Sequence, residues 1–155
     1  MYVEENLVFF NNSFEDKNEL FDFMADVLEK EGYVTEEFRE AIKIREENYP
    51  TGLKLTTMNV AIVHTEAIYS QTDKLVILKL GKPIVFNNIE TLQPLEVDFI
   101  IGLILKDSEK HLQILKNVSQ LLQSEEAIDS IKNTASHEEL LKMMIKYFNE
   151  KRSLL

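Results

Sequence analysis

The chain has 155 residues, 45% of them hydrophobic and 28% charged, which is ordinary for one globular domain with a buried core. Its formal net charge of −10 argues against nucleic acid or an anionic membrane as a partner and favours a basic protein. The absence of cysteine excludes disulfides, thiolate catalysis and cysteine-ligated zinc. No apolar run reaches the roughly 18 residues of a membrane span and no signal peptide is recognisable, so we expect a cytoplasmic protein.

The first third of the chain predicts a strand followed by two helices. "ENLVFFN" is typical of a short strand, and the helical pattern after it has a capping-box start at Asp16 and a terminating glycine at Gly32. A second helix is expected from an N-cap at Thr35, with acidic residues in its first turn. It must end near Pro50, which restricts the residue before it and is followed by a turn signal.

The middle of the chain predicts three strands, at residues 59–63, 75–80 and 97–106. The first and last are almost continuously apolar, which is typical of strands that are covered on both faces. Pro83 and Pro94 are expected to bracket a connecting segment, with at most a short strand at its start.

The last third predicts three helices. The first follows the third strand with Ser108 as its N-cap, and two more cover residues 124–133 and 136–151, the last with a capping box from Ser136 to Glu139. Because helices both precede and follow the strands, we expect an α/β fold with a mixed β-sheet flanked by helices on both faces. Residues 1–155 are expected to form a single domain.

The three histidines differ in their surroundings. His137 follows the expected N-cap of the last helix and is interpreted as a solvated surface residue. His111 lies in the first turn of a helix that follows a strand, where α/β folds commonly bind anions. His64 ends the apolar run "NVAIV", so its ring can lie at the rim of the core. A structural role remains open for each histidine.

A general base, a metal ligand and a nucleophile are the chemical roles open to His64. The chain has no G-x-S-x-G for a serine hydrolase and no phosphate-binding G-x-x-x-x-G-K loop. The spacing of the histidines supports no local metal site either, so none is expected, although distant histidines can still meet in space. A nucleophilic histidine is the simplest hypothesis that remains.

Taken together, "IREENYPTGLKLTTMNVAIVHTEAI" resembles the active-site block of the IIA proteins of the sugar phosphotransferase system, in the fructose–mannitol class. "YPTGL" followed by "HTEAI" is most similar to the galactitol-specific branch, and "IIGLILKDSEKHLQILKNVSQLL" resembles the strand and helix that carry the family's second histidine. One departure is that Val63 precedes His64, where the family usually has proline.

The resemblance implies that His64 accepts a phosphoryl group from the carrier protein HPr and passes it to a cysteine of a IIB protein, which serves the membrane component IIC. It also implies that His111 and Arg45 flank the phosphoryl group. A neutral imidazole is nucleophilic without a base, and a guanidinium offers a fork of donors to phosphate oxygens. No cofactor is implied. We expect Val63 to change only how rigidly His64 is held.

Two alternatives remain. A nitrogen-type regulatory IIA module accepts phosphate without passing it to a sugar, and a hydrolase or metal enzyme uses His64 and His111 differently. The acidic residues Glu46, Glu47 and Glu66 lie close to His64 in sequence and are expected to form a solvated face that attracts a basic partner.

Overall fold

The computed structural model describes the backbone of residues 1–150 and their side chains except those of residues 108 and 150. Its strands are β1 (Val8–Asn12), β2 (Gly52–Leu53), β3 (Val60–His64), β4 (Lys74–Asn87) and β5 (Pro94–Ile104). Its α-helices are α1 (Lys17–Lys30), α2 (Phe38–Asn48), α3 (Ser108–Gln123), α4 (Glu125–Lys132) and α5 (His137–Met144). Short 3₁₀ helices cover Glu5–Leu7 and Ala67–Tyr69, and a wider helical turn extends α5 over Ile145–Glu150.

The strands form one mixed sheet in the order β1-β4-β5-β3-β2. The strand pairs β1–β4 and β3–β5 are parallel, and the pairs β4–β5 and β2–β3 are antiparallel. The carboxyl ends of β3 and β5 therefore lie at the same edge of the sheet, where β4 begins. We call it the carboxyl edge of β3 and β5, and it carries the site described below.

Helices cover both faces of the sheet, as expected from the sequence. One apolar core lies between the sheet and the α1–α2 pair, and a second lies between the sheet and α3, α4 and α5. The predicted α/β fold with a mixed sheet is thus confirmed. No helix of the described chain combines the length and apolar character needed to cross a bilayer.

Local capping signals predicted several helix ends. The Asp16 carboxylate accepts the Glu19 N–H at the start of α1, and Gly32 follows the helix with a φ of +75°. At α5 the Ser136 hydroxyl accepts the N–H of Glu139, as expected.

Two expected caps were wrong. The chain makes a turn after Thr35, and α2 begins only at Phe38, whose N–H donates to the Thr35 carbonyl. The N-cap of α3 is Asp107, one residue before Ser108, and its carboxylate accepts the Glu109 N–H at 2.9 Å.

The segment between the prolines begins as strand, and residues 88–93 connect β4 to β5, whereas the strand expected at residues 75–80 extends further than predicted. Strand β4 continues through Pro83 to Asn87, and β5 begins at Pro94. Pro83 is tolerated because the pairing register between β4 and β5 shifts there and the neighbouring strand β1 pairs only as far as Leu80. The tip of this long hairpin bends onto β2, where Ile89 donates its N–H to the Gly52 carbonyl at 2.8 Å.

His137 is not the solvated surface residue that the sequence indicated. Its ring is partly buried, and Nε2 lies 2.8 Å from the carbonyl oxygen of Val8. Because a carbonyl only accepts hydrogen bonds, Nε2 carries the proton and ties the start of α5 to β1.

Candidate functional site

His64 is the last residue of β3, at the carboxyl edge of β3 and β5, and pairs with Leu103 of β5. Its ring is partly buried, and Nδ1 lies 3.2 Å from the carbonyl oxygen of Ile62. Since the carbonyl can only accept, Nδ1 donates this hydrogen bond and Nε2 keeps its lone pair. The backbone thus orients the ring and selects the tautomer in which Nε2 is the nucleophilic nitrogen.

The surroundings of His64 favour its neutral form. Burial lowers the pKa of the ring below its usual 6.5, and the nearby charges of Arg45 and His111 lower it further. The hydrogen bond to Ile62 and the carboxylate of Glu66 act in the opposite direction without reversing the shift. At neutral pH the ring is therefore predominantly uncharged and nucleophilic.

Arg45 lies in the last turn of α2, with its guanidinium between Tyr49 and Glu66. The guanidinium carbon is 4.8 Å from the centre of the Tyr49 ring, and Nη1 is 3.8 Å from a Glu66 oxygen. Its Nε is buried and has no hydrogen-bond partner among the described residues. The Arg45 side chain thus retains donor capacity at the site.

His111 is brought to the same edge by the strand that pairs with β3. Strand β5 ends at Ile104, α3 begins at Ser108, and the His111 N–H donates to the Asp107 carbonyl at 3.1 Å in the first turn. The ring is partly buried and close enough to influence the pKa of His64. The three residues singled out from the sequence thus meet at one place, whereas His137 lies elsewhere, against β1.

An open, mostly apolar cavity of about 300 Å³ adjoins His64. It is lined by Arg45, Asn48, Tyr49, Pro50, Thr51, His64, Ile89 and Leu92. The last two belong to the tip of the β4–β5 hairpin, which the sequence gave no reason to place here. No local signal could have found them, because the bend of the hairpin depends on its contact with β2.

Glu46 corrects the expectation of a solvated acidic face. Its side chain is only 3% exposed, and its carboxylate accepts the N–H of Thr51 at 2.7 Å and the Thr51 hydroxyl at 2.8 Å. Burial raises the pKa of Glu46 to about 7, against the lowering effect of these bonds and of the charges on Lys17 and Arg45. Glu46 therefore holds one wall of the cavity, while Glu47 and Glu66 are exposed as expected.

Exposed apolar side chains lie in the cavity beside His64 or close in sequence to the two histidines. Tyr49, Ile89 and Leu92 line the cavity and are 63%, 49% and 60% exposed. Ile68 and Leu112, which closely follow the two histidines in sequence, are 77% and 75% exposed. We call these five residues the apolar rim; exposed apolar side chains near a reactive group are typical of a protein-docking surface.

The described residues contain no group of three or more histidine, cysteine, aspartate or glutamate side chains arranged to hold a metal ion.

Comparison with known proteins gives a consistent result. The model of the family described as "Phosphoenolpyruvate-dependent sugar phosphotransferase system, EIIA 2" matches residues 1–147. The galactitol-specific EIIA component of Escherichia coli (strain K12) is 24% identical over 119 residues, which are 77% of this chain and 79% of that protein.

Two solved structures share the fold. The mannitol-specific cryptic phosphotransferase enzyme IIA CmtB from Escherichia coli aligns with a TM-score of 0.76 at 23% identity, over 94% of this chain and 96% of that one. The complex of enzyme IIAMTL and phosphorylated enzyme IIBMTL from Escherichia coli includes a chain that aligns with a TM-score of 0.75 at 22% identity, over 93% and 97%.

Proposed function

Because the chain belongs to the EIIA 2 family of the phosphoenolpyruvate-dependent sugar phosphotransferase system, we propose that His64 is its phosphoryl acceptor. Membership makes the protein a phosphotransferase of sugar transport. The proposal depends on the hydrogen bonding of the His64 ring and on its position at the cavity. Its Nδ1 is engaged by Ile62, its Nε2 is free to attack, and its ring lines an open cavity beside Arg45.

In the proposed reaction, Nε2 of His64 attacks the phosphorus of a phosphohistidine on HPr. A new N–P bond forms while the N–P bond of the donor breaks, and the departing ring keeps the bonding electrons. The hydrogen bond from Nδ1 to the Ile62 carbonyl is retained and stabilises the positive charge that develops on the attacking ring. The product stays labile enough to be transferred onward, in contrast to a serine phosphate ester.

Arg45 and His111 are proposed to bind the phosphoryl oxygens. Phosphoryl transfer depends mainly on positioning and on neutralising the charge spread over those oxygens. The Arg45 guanidinium packs on the Tyr49 ring and pairs with the Glu66 carboxylate at 3.8 Å, a distance at which a closer dianionic phosphoryl group can displace that carboxylate. His111 supplies a further donor from the start of α3.

We propose two protein partners for the same surface. HPr is expected to dock on the apolar rim, helped by the attraction of an acidic chain for a basic partner. A IIB protein then accepts the phosphoryl group on its cysteine and acts together with a membrane IIC component. The galactitol-specific relative supports a galactitol-like sugar as the substrate of the pathway. From the proposed partners we expect the protein to act in the cytoplasm.

The test is phosphorylation by phosphoenolpyruvate, enzyme I and HPr. The protein should gain an acid-labile phosphate, and His64→Ala should abolish it. His137→Ala is the matched control and should be labelled like the parent, because that ring bonds the Val8 carbonyl away from the site. Labelling of His64→Ala, together with loss of label in His111→Ala, would reverse the assignment of the acceptor.

Two further measurements refine the proposal. Arg45→Lys should still accept phosphate but transfer it more slowly, since an ammonium group cannot reproduce the guanidinium fork. Labelled protein should pass its phosphate to a galactitol-type IIB protein. Acceptance without onward transfer would favour the regulatory alternative instead.

A further inference from the structure

The strand connection that leads to His111 is held by a single carboxylate from another part of the chain. Asp73 stands directly before β4, and its Oδ1 accepts the N–H of Lys106 at 2.8 Å and the N–H of Asp107 at 3.0 Å. Its other oxygen lies 3.7 Å from the Lys110 ammonium group. The Asp73 side chain is only 17% exposed, so these bonds are partly shielded from water.

The first turn of α3 contributes few side chains to the core. Leu105 and Ile114 are buried in the core, but none of the described side chains between them is fully buried. Polar contacts therefore make a large contribution to the position of the turn that carries His111. Asp107 begins that turn by capping the helix, and its carbonyl accepts the His111 N–H.

These contacts form a short chain of hydrogen bonds from Asp73 through Asp107 to His111. We propose that Asp73 is a positioning residue that fixes the His111 ring relative to the phosphoryl group on His64. The proposal rests on the role assigned to His111 in the proposed function. The two oxygens of Asp73 are occupied by the backbone of the β5–α3 connection and by Lys110. Asp73 therefore acts through His111 and not by contact with the reacting atoms.

The position of Asp73 suits this role. It immediately precedes β4, whose first residue, Lys74, pairs with Ile104 at the end of β5. The carboxylate therefore links the start of one central strand to the chain leaving its neighbour. A displacement of the connection at Lys106 and Asp107 would move the first turn of α3 and with it His111.

The experiment is a double-mutant cycle measured as kcat/KM for phosphoryl transfer from phospho-HPr. His111→Ala is expected to lower kcat/KM about 100-fold, the usual effect of losing one donor to a transferring group. Asp73→Ala should lower it about tenfold through misplacement of the ring. In the His111→Ala background, Asp73→Ala should change it by less than about twofold, since the ring through which it acts is gone.

Conservative replacement separates positioning from charge. The amide oxygen of Asp73→Asn can still accept both N–H groups but cannot pair with Lys110, so this variant should remain close to the parent. Asp129→Ala, at an exposed aspartate on α4, is the control and should leave kcat/KM unchanged. If Asp73→Ala does not fold, Asp73→Ser, which keeps one acceptor oxygen, replaces it in the cycle.

The outcomes distinguish this inference from the proposed function. If His111→Ala transfers phosphate normally, the role of His111 in the proposed function is wrong. If His111→Ala is impaired but Asp73→Ala lowers kcat/KM equally in both backgrounds, or Asp73→Asn is as impaired as Asp73→Ala, the positioning role is overturned while the proposed function stands.

Discussion

Replacing Glu46 by glutamine removes a buried ionisable group beside the cavity while preserving its shape. Burial raises the pKa of Glu46 from the usual 4.5 to about 7. Between these two values the folded protein keeps a proton that the unfolded chain releases, so this carboxyl stabilises the fold fully below pH 4.5 and loses that contribution as the pH rises through 7. A difference of about 2.5 pH units corresponds to about 3 kcal/mol.

Glutamine cannot lose a proton, yet it can keep both contacts. Its amide oxygen can accept the Thr51 N–H, and its amide nitrogen can donate to the Thr51 hydroxyl, which is able to accept. We therefore expect the free energy of unfolding of Glu46→Gln, relative to that of the parent, to rise by about 2.5 kcal/mol between pH 5 and pH 8.

The measurement is urea unfolding at several pH values across that range, with the slope of the transition checked for constancy. Glu47→Gln is the matched control, because it makes the same substitution at the adjacent carboxylate, which is 76% exposed. If the difference between Glu46→Gln and the parent is independent of pH, the argument from the burial of Glu46 is wrong.

Three other predictions follow from single contacts. NMR titration of His64 should give a pKa below 6.5, and a value at or above 6.5 would contradict the neutral, nucleophilic ring. His137→Ala should destabilise the protein by about 1 kcal/mol through loss of its bond to Val8, without affecting phosphoryl acceptance; unchanged urea unfolding would show that the bond contributes nothing. Gly52→Ala should cost about 2 kcal/mol in unfolding free energy, since the new Cβ would lie 2.6 Å from the Asn87 carbonyl oxygen; an unaffected variant would contradict the close packing of the hairpin on β2.

Local signals predicted three of the helix ends, although those at Thr35 and Ser108 were wrong. The cap at Asp16, the glycine after α1 and the cap at Ser136 all depend on residues within four positions of a helix end. The predicted end of the strand at Leu80 was wrong, since β4 continues through Pro83 to Asn87, because proline was interpreted without its neighbours. Whether a strand can contain proline depends on which backbone groups are paired there, and that is a property of the sheet.

The residues of the candidate site also differ in whether the sequence could indicate them. His64, His111 and Arg45 could be chosen from residue type, strand ends and the family resemblance. Asp73 and Glu46 gave no such signal: an aspartate before a strand and a glutamate in an amphipathic helix are ordinary surface residues by pattern. Only the folded chain shows that each carboxylate accepts two hydrogen bonds from a segment that borders the site.

The amino-acid sequence by itself determined the α/β class and most of the helices and strands, and its resemblance to the family singled out His64, His111 and Arg45. The helices and strands follow from periodicity and capping, which act over a few neighbouring residues. Only the tertiary structure decided that β3 and β5 lie side by side and parallel, which brings His64 and His111 to one edge, and that the β4–β5 hairpin lines the cavity beside His64. Pairing between distant segments depends on the packing of the whole sheet, and no local pattern specifies it.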